Sequence, residues 1–259
     1  MEVVILPSAD RVADVAADIV ARLVAGRSRP TIGLATGSSP LATYARLIER
    51  YQREKLSFAG AAAVTLDEYV GLPEDHPEAY RAVIRREFVD HVDLPLDALH
   101  SPDVHTDDLA CACDRYDRTV TGLGVDVQLL GIGSDGHVGF NEPGSSLTSR
   151  TRVKTLTTRT RQDNARFFGT VDDVPRHVVT QGLGTICDAG HLVMIATGST
   201  KADPIAAMVE GPVAAACPAS VLQFHRHATV LVDEAAAVGL RLADYYREAH
   251  RHKPGWQPL

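Results

Sequence analysis

The strongest constraint on this chain is an alternation: short apolar runs suited to buried strands are repeatedly followed by stretches whose apolar residues recur every three or four positions. Val3–Leu6 is the first such run, and Val12, Ala16, Ile19, Val20, Leu23 and Val24 then fall at helical steps before Gly26 ends the pattern. Thr31–Ala35 reads as the next strand and Thr36-Gly37-Ser38-Ser39 as a turn. Pro40 stands where proline suits the first helical position, ahead of a helix over Leu41–Tyr51. Further strands are expected at Ala61–Leu66, Val125–Leu130, His191–Ala196 and Thr229–Val232. Helices are expected at Glu78–Val89, Leu109–Thr121, Lys201–Val209 and Ala235–Tyr246. Wholly apolar strands separated by helices define an α/β fold, with a doubly wound, mostly parallel sheet and helices on both faces. With 259 residues, 45% of them hydrophobic, one such domain is expected over 1–246. The polar segment 247–259 ends in helix breakers and reads as a tail that frays or meets another subunit.

A net charge of −7 leaves no overall positive field to hold nucleic acid or an anionic membrane, so an anionic ligand must be caught in a local pocket. That favours a small molecule. Met1 leads directly into Glu2–Leu6, with neither a basic leader nor an apolar run long enough to span a bilayer, and a soluble cytoplasmic protein is the expectation. Cys111, Cys113, Cys187 and Cys217 form no CxxC and no zinc spacing; they read as reduced thiols.

In open α/β sheets ligands bind beyond the carboxyl ends of the strands. Thr36-Gly37-Ser38-Ser39 lies there, offering backbone N–H groups, hydroxyls and a helix amino end, which together suit a phosphate. An ordinary helix cap is the alternative. A second copy, Ala196-Thr197-Gly198-Ser199-Thr200, precedes a helix in the same way and adds Lys201, a point charge for the same anion, so two strand-end loops are expected to face one crevice. Neither loop is a GxxxxGK[ST] phosphate loop. Asp67 and Glu68 follow a third strand and, taken alone, fit a solvated acidic loop. A fourth runs into Gly131-Ile-Gly133-Ser-Asp135-Gly136-His137-Val-Gly-Phe-Asn141-Glu142, where two carboxylates bracket a histidine, an arrangement that sets an imidazole's tautomer for proton transfer. The segment contains GxGxxG, but Asn-Glu-Pro-Gly and then a basic stretch follow where a dinucleotide site needs a helix. A metal on Asp135, His137 and Glu142 lacks a second histidine or an HExxH spacing, so no metal and no cofactor are expected. Among Arg150, Arg152, Lys154, Arg159, Arg161 and Arg166, about half are expected to be solvated and paired with surface acids; any that reaches the crevice can complete a phosphate site.

Taken in order, Leu34-Ala-Thr-Gly-Ser-Ser-Pro40, Leu66-Asp-Glu-Tyr-Val-Gly-Leu-Pro73, Gly131 through His137, Asn141-Glu-Pro143, Ser149 through Thr155 and Gly198-Ser-Thr-Lys201 resemble the glucosamine-6-phosphate deaminase family from about Val3 to Asp233. The resemblance implies a modified Rossmann-like fold and the conversion of glucosamine 6-phosphate and water to fructose 6-phosphate and ammonia without a cofactor. It implies that Asp67 is the base at C2, that His137 opens the sugar ring, and that Asp135 and Glu142 hold and tune the imidazole. It places phosphate contacts on Thr36, Gly37, Ser38, Ser39, Arg166 and Lys201. Some members are hexamers activated by N-acetylglucosamine 6-phosphate at subunit contacts, and the matching positions Ser145, Arg152, Lys154 and Thr155 are present, so a homo-oligomer enters the expectations. Two rivals are a 6-phosphogluconolactonase, opposed by Asp67-Glu68-Tyr69 and Asn141-Glu142-Pro143, and a non-catalytic sugar-phosphate sensor, which normally carries a DNA-binding segment that this chain lacks. A lid is expected around Glu74–Arg85 or Thr151–Arg166.

Overall fold

Seven parallel strands in one sheet organise the computed structural model, which describes residues 1–257 and 259. In chain order its elements are β1 (Glu2–Leu6), α1 (Ala9–Gly26), β2 (Thr31–Leu34), α2 (Leu41–Glu54), β3 (Ala62–Thr65), β4 (Asp67–Val70), α3 (Tyr80–Glu87), β5 (Leu99–His100) and α4 (Leu109–Leu123). They continue with β6 (Val127–Leu130), β7 (Arg152–Thr155), α5 (Thr158–Phe168), β8 (His177–Thr180), α6 (Leu183–Cys187), β9 (His191–Ala196), α7 (Ala202–Glu210), β10 (Ala228–Asp233) and α8 (Ala243–Arg251).

Every residue of β9 is buried because both faces of the sheet are covered. On one face Val193 and Ile195 pack with Val12, Ala16, Ile19 and Val20 of α1 and with Tyr44 and Leu47 of α2. Pleating sends Leu192, Met194 and Ala196 to the other face, into a cluster with Tyr116 and Val120 of α4, Leu183 and Ile186 of α6, and Ile205 and Met208 of α7. The doubly wound α/β architecture expected from the sequence is the one observed.

The strand order β1-β10-β9-β6-β2-β3-β5 positions the site. From β2 the chain steps outward to β3 and β5, then returns to place β6 on the other side of β2 and steps away again through β9 and β10. The order therefore reverses between β2 and β6, where the connections diverge and leave a crevice at the carboxyl ends of the strands. β9 lies next to β6, so the two Ala-Thr-Gly-Ser loops flank the glycine-rich loop that follows β6. Tyr44, only 1% exposed, pins the first of them: its hydroxyl donates to the Ala35 carbonyl at 2.7 Å and accepts from the Ala35 N–H at 3.0 Å. Tyr44→Phe strands both backbone groups in the core and should cost about 1–3 kcal/mol. A urea midpoint that does not move would rule out this anchoring role.

Two features depart from the sequence reading. Asp67-Glu68-Tyr69 is not a solvated loop but part of β4, which pairs antiparallel with β8, while β7 pairs with the opposite edge of β8. This small sheet is invisible locally because Asp67 pairs with Thr180, far along the chain, and the charged residues of β4 are buried by segments distant in sequence. The last helix begins at Ala243 rather than Ala235. Asp233 turns the chain first, accepting from Ala236 N (2.8 Å) and Gly198 N (3.0 Å). Glu210 then accepts from Arg241 N and Leu242 N, both at 2.9 Å, and sets the start of α8. The expected boundary at 246 falls inside α8, which runs on to Arg251 beside β1, and Lys253 pairs with Glu2 at 2.5 Å.

Candidate active site

The glycine-rich loop after β6 folds into a tight turn in which Gly133 N–H donates to the His137 carbonyl at 2.9 Å and Gly136 N–H to the Gly133 carbonyl at 3.1 Å. Gly136, at φ +80°, occupies a conformation that favours glycine. The turn brings the His137 imidazole flat against Gly133, where a Cβ would collide with the ring carbons and nitrogens, so the second glycine is the seat of the imidazole. Asp135 Oδ1 meets His137 Nδ1 at 2.6 Å and accepts from the His137 N–H at 3.2 Å. The hydrogen bond with His137 holds the Asp135 carboxyl down at about 2. Its partner nitrogen fixed, the ring can present Nε2 to a substrate hydroxyl. No helix follows this loop until α5, which removes the dinucleotide reading.

Asp67 opens β4 and is 4% exposed. Burial, reinforced by the charge of Glu68, pushes its carboxyl well above the usual range. Gly139, at φ +57°, passes directly over it: a side chain there would start 3.3 Å from Asp67 Oδ2 and 3.1 Å from Thr180 Oγ1. The loop that carries the Asp135–His137 pair thus also roofs Asp67, and the pair and the buried carboxyl share one wall of the crevice.

The other end of the crevice is built from the flanking loops. α2 has Pro40 as its N-cap, just before the helix rather than inside it, and no side chain bonds its first turn, so the hydroxyls of Thr36, Ser38 and Ser39 are not spent on an ordinary cap. Gly37 takes φ +86°, and Ser39 Oγ reaches to 3.5 Å from the place a Gly131 side chain would begin. Lys201, closing the turn after β9, donates from Nζ to the Ile132 carbonyl at 2.7 Å and so leans over the end of β6. Its pKa is lowered by burial first and then by the nearby Arg166 cation. Arg166 itself is exposed on α5, with its guanidinium 4.7 Å from the Phe167 ring centroid.

Glu142 departs from expectation. Its carboxylate accepts from the hydroxyls of Thr157 (3.2 Å) and Thr160, at the amino end of α5, instead of bracketing the imidazole with Asp135. Four residues of loop separate Glu142 from His137, enough for the chain to turn it toward the helix. Among the described residues no group of three or more His, Cys, Asp or Glu side chains is placed to hold a metal ion. Ser145 is buried, and its hydroxyl lacks a partner among the described residues. Arg152 donates to Asn141 Oδ1 at 2.9 Å, next to Glu142, while Lys154 and Thr155 continue along β7. The remaining basic residues divide much as charge pairing dictates: Arg150 binds Asp117 and Asp188, and Arg161 is buried, donating to the carbonyls of Val171 and Val174. Sequence reasoning missed Thr157, Thr160 and Asn141; a Thr-x-x-Thr pair at a helix start was the one local signal for the first two.

An aspartate–histidine pair and a buried carboxyl meet at the switch point of a parallel sheet, with an uncapped helix end and a lysine beside them, in the crevice where α/β enzymes bind small ligands. The chain belongs to the glucosamine-6-phosphate isomerases/6-phosphogluconolactonase family, whose model matches residues 7–231. It is 60% identical over 258 residues to the glucosamine-6-phosphate deaminase of Rhodococcus jostii (strain RHA1), covering 99% of each chain. To that of Streptomyces coelicolor it is 54% identical over 261 residues, covering 100% of both. A solved monomeric glucosamine-6-phosphate deaminase matches with a TM-score of 0.90 at 40% identity, over 92% of this chain and 100% of the other. The 6-phosphogluconolactonase of Trypanosoma brucei, with a TM-score of 0.74 at 21% identity over 92% of this chain and 98% of its own, shares the fold.

Proposed function

We propose that this chain converts glucosamine 6-phosphate and water to fructose 6-phosphate and ammonia. The observation that carries the reading is the buried, proton-avid Asp67 lying beneath the same loop that fixes the Asp135–His137 pair. The substrate phosphate lies in the Thr36–Ser39 loop and on Lys201, with Arg166 brought in from α5. Anchoring at that end turns remote binding energy into alignment at C1 and C2. His137 takes the anomeric hydroxyl proton and returns one to the ring oxygen, opening the pyranose. Asp67 then removes the C2 proton and delivers it to C1, while the C1 oxygen gains a proton and the amine nitrogen gives one up, so that the amine-bearing carbon becomes a ketimine. Water adds to the ketimine, and the C–N bond breaks to release ammonia. Lactone hydrolysis needs no base at C2, so ammonia release separates the two chemistries of the family.

The test is a coupled assay for ammonia and fructose 6-phosphate, run in EDTA with no added cofactor; binding of glucosamine 6-phosphate without either product would reject the reaction. Lys201→Ala removes a charge-assisted contact and should raise KM roughly 10- to 100-fold with a smaller change in kcat. An unchanged KM takes Lys201 out of the phosphate site.

Ser145, Arg152, Lys154 and Thr155 form the second proposed anion site, for an N-acetylated sugar phosphate, with the Arg152–Asn141 bond as its link to the catalytic loop. Activation lost in Arg152→Ala supports it, and an effector without influence on the wild-type rate rejects it. Of the two lid candidates, Glu74–Arg85 and Thr151–Arg166, the second is the better supported, because its helical part carries Arg166. The 40%-identical solved relative is a monomer; sedimentation equilibrium decides between that state and a homo-oligomer. No helix among the described residues is long and apolar enough to cross a membrane, and a cytoplasmic location fits a phosphorylated sugar substrate.

A further inference from the structure

Glu68 follows Asp67 in β4 and is 5% exposed, yet the reaction proposed above gives it no task. Its carboxylate accepts three backbone N–H groups, Oε1 from Tyr69 and Tyr80 and Oε2 from Arg81, all at 2.8 Å. Tyr80 and Arg81 are the first two residues of α3, whose own N-cap, Ala79, supplies no side-chain hydrogen bond. Glu68 therefore caps α3 from another element, with its negative charge at the positive end of the helix. A neutral hydroxyl or amide caps most helices; a buried charge is the costlier choice, and here it stands beside a second buried carboxyl.

We propose that Glu68 is a positioning residue of the active site, one that fastens α3 to the strand carrying Asp67 and holds a fixed negative charge against which Asp67 must ionise. The inference rests on the reading of Asp67 as the base. The three N–H donors favour the ionised form of Glu68, although burial still raises its pKa somewhat. Asp67 is buried with no hydrogen bond to its carboxylate among the described residues, whereas Glu68 has three, so Asp67 is the carboxyl of the pair that takes up a proton. The other groups facing the pair are Tyr69 on the same strand, Tyr80 and Arg81 on α3, His105 in the loop before α4, Tyr116 on α4 and, in the loop that roofs Asp67, Asp135 and His137, which are the same in every variant compared. Burial raises all three tyrosines, so they stay neutral through the working range, and Arg81 stays charged. His105 is controlled by His105→Asn.

The experiment is the pH profile of kcat/KM for the full-length wild type, Glu68→Gln and Glu68→Asp. Catalysis needs Asp67 ionised, so its acid limb follows Asp67; removing the neighbouring charge should move that limb to lower pH by about one unit. Glu68→Asp keeps the charge but not the reach, and should leave the limb in place while lowering the melting temperature. A limb that stays put in a folded Glu68→Gln overturns the proposal. Should Glu68→Gln fail to fold, carboxyl NMR of the wild type gives a second reading: the Asp67 carboxyl titrates at higher pH than that of Glu68, and the reverse order overturns the proposal. An Asp67→Asn enzyme with normal kcat would instead sink the base assignment, which distinguishes the two failures.

Discussion

Asp67→Asn should abolish turnover, with kcat falling about 10²–10⁴-fold or more, while glucosamine 6-phosphate binds with nearly unchanged affinity. The amide keeps the shape of the carboxyl but cannot accept the C2 proton, and the phosphate contacts proposed above lie elsewhere in the crevice. The same substitution should stabilise the fold at neutral pH. Asp67 is a buried carboxyl whose folded-state pKa is raised, by burial first and by Glu68 second. Below the ordinary carboxylate value it is neutral in both folded and unfolded chains and exerts no penalty. As pH climbs through that value, the unfolded chain releases the proton while the folded chain retains it, and stability falls until the folded group also ionises. Asparagine has no proton to release, so its melting temperature should exceed that of the wild type at pH 8, with the gap closing toward pH 4. Equal melting temperatures at both pH values would contradict the buried, proton-avid state of Asp67, and retained kcat would contradict its role.

Gly133→Ala should lower kcat/KM about 10²-fold, the scale expected when a catalytic group is misplaced by about 1 Å. The methyl group would occupy the volume of the His137 ring, which cannot retreat without leaving Asp135, 2.6 Å away on Nδ1. The backbone cannot give way cheaply either, because Gly133 is tied to His137 and Gly136 by two hydrogen bonds of the turn. Losing the imidazole contact also changes acid stability. The hydrogen bond with His137 depresses Asp135 to about 2, so its contribution is present above the ordinary aspartate value and is lost as pH falls toward 2. The variant should therefore unfold more readily than wild type at pH 6, with the difference shrinking between about pH 4 and pH 2. Denaturant midpoints across that window, measured beside kcat/KM, test both statements. A variant with full activity would show that the imidazole on Gly133 is not the ring-opening group.

Much of the site is legible in the sequence because its parts are local. Asp135 and His137 lie two residues apart within a turn that their intervening glycine makes, and the Thr36–Ser39 loop is bounded by an apolar strand and a proline-led helix. Such features depend on neighbouring residues and on the rule that ligands bind where apolar strands end. Glu142 carries the same local signal, yet it faces Thr157 and Thr160, because the direction of a side chain at a loop's end is settled by the element it meets. Glu68 reads locally as half of a solvated acidic pair; only the N–H groups of Tyr80 and Arg81, brought to it by α3, make it a buried cap.

By itself the sequence determined the α/β class, the two covered faces of the sheet and the loops that hold chemistry. Burial pattern and helical periodicity are one-dimensional properties, written wherever residues must avoid water. Only the tertiary structure decided that β6 lies between β2 and β9, that β4 joins β8 and β7 in a second sheet, and that α8 starts where Glu210 caps it. These choices depend on pairing energies between segments far apart in the chain, such as Asp67 with Thr180, and no local window contains both partners.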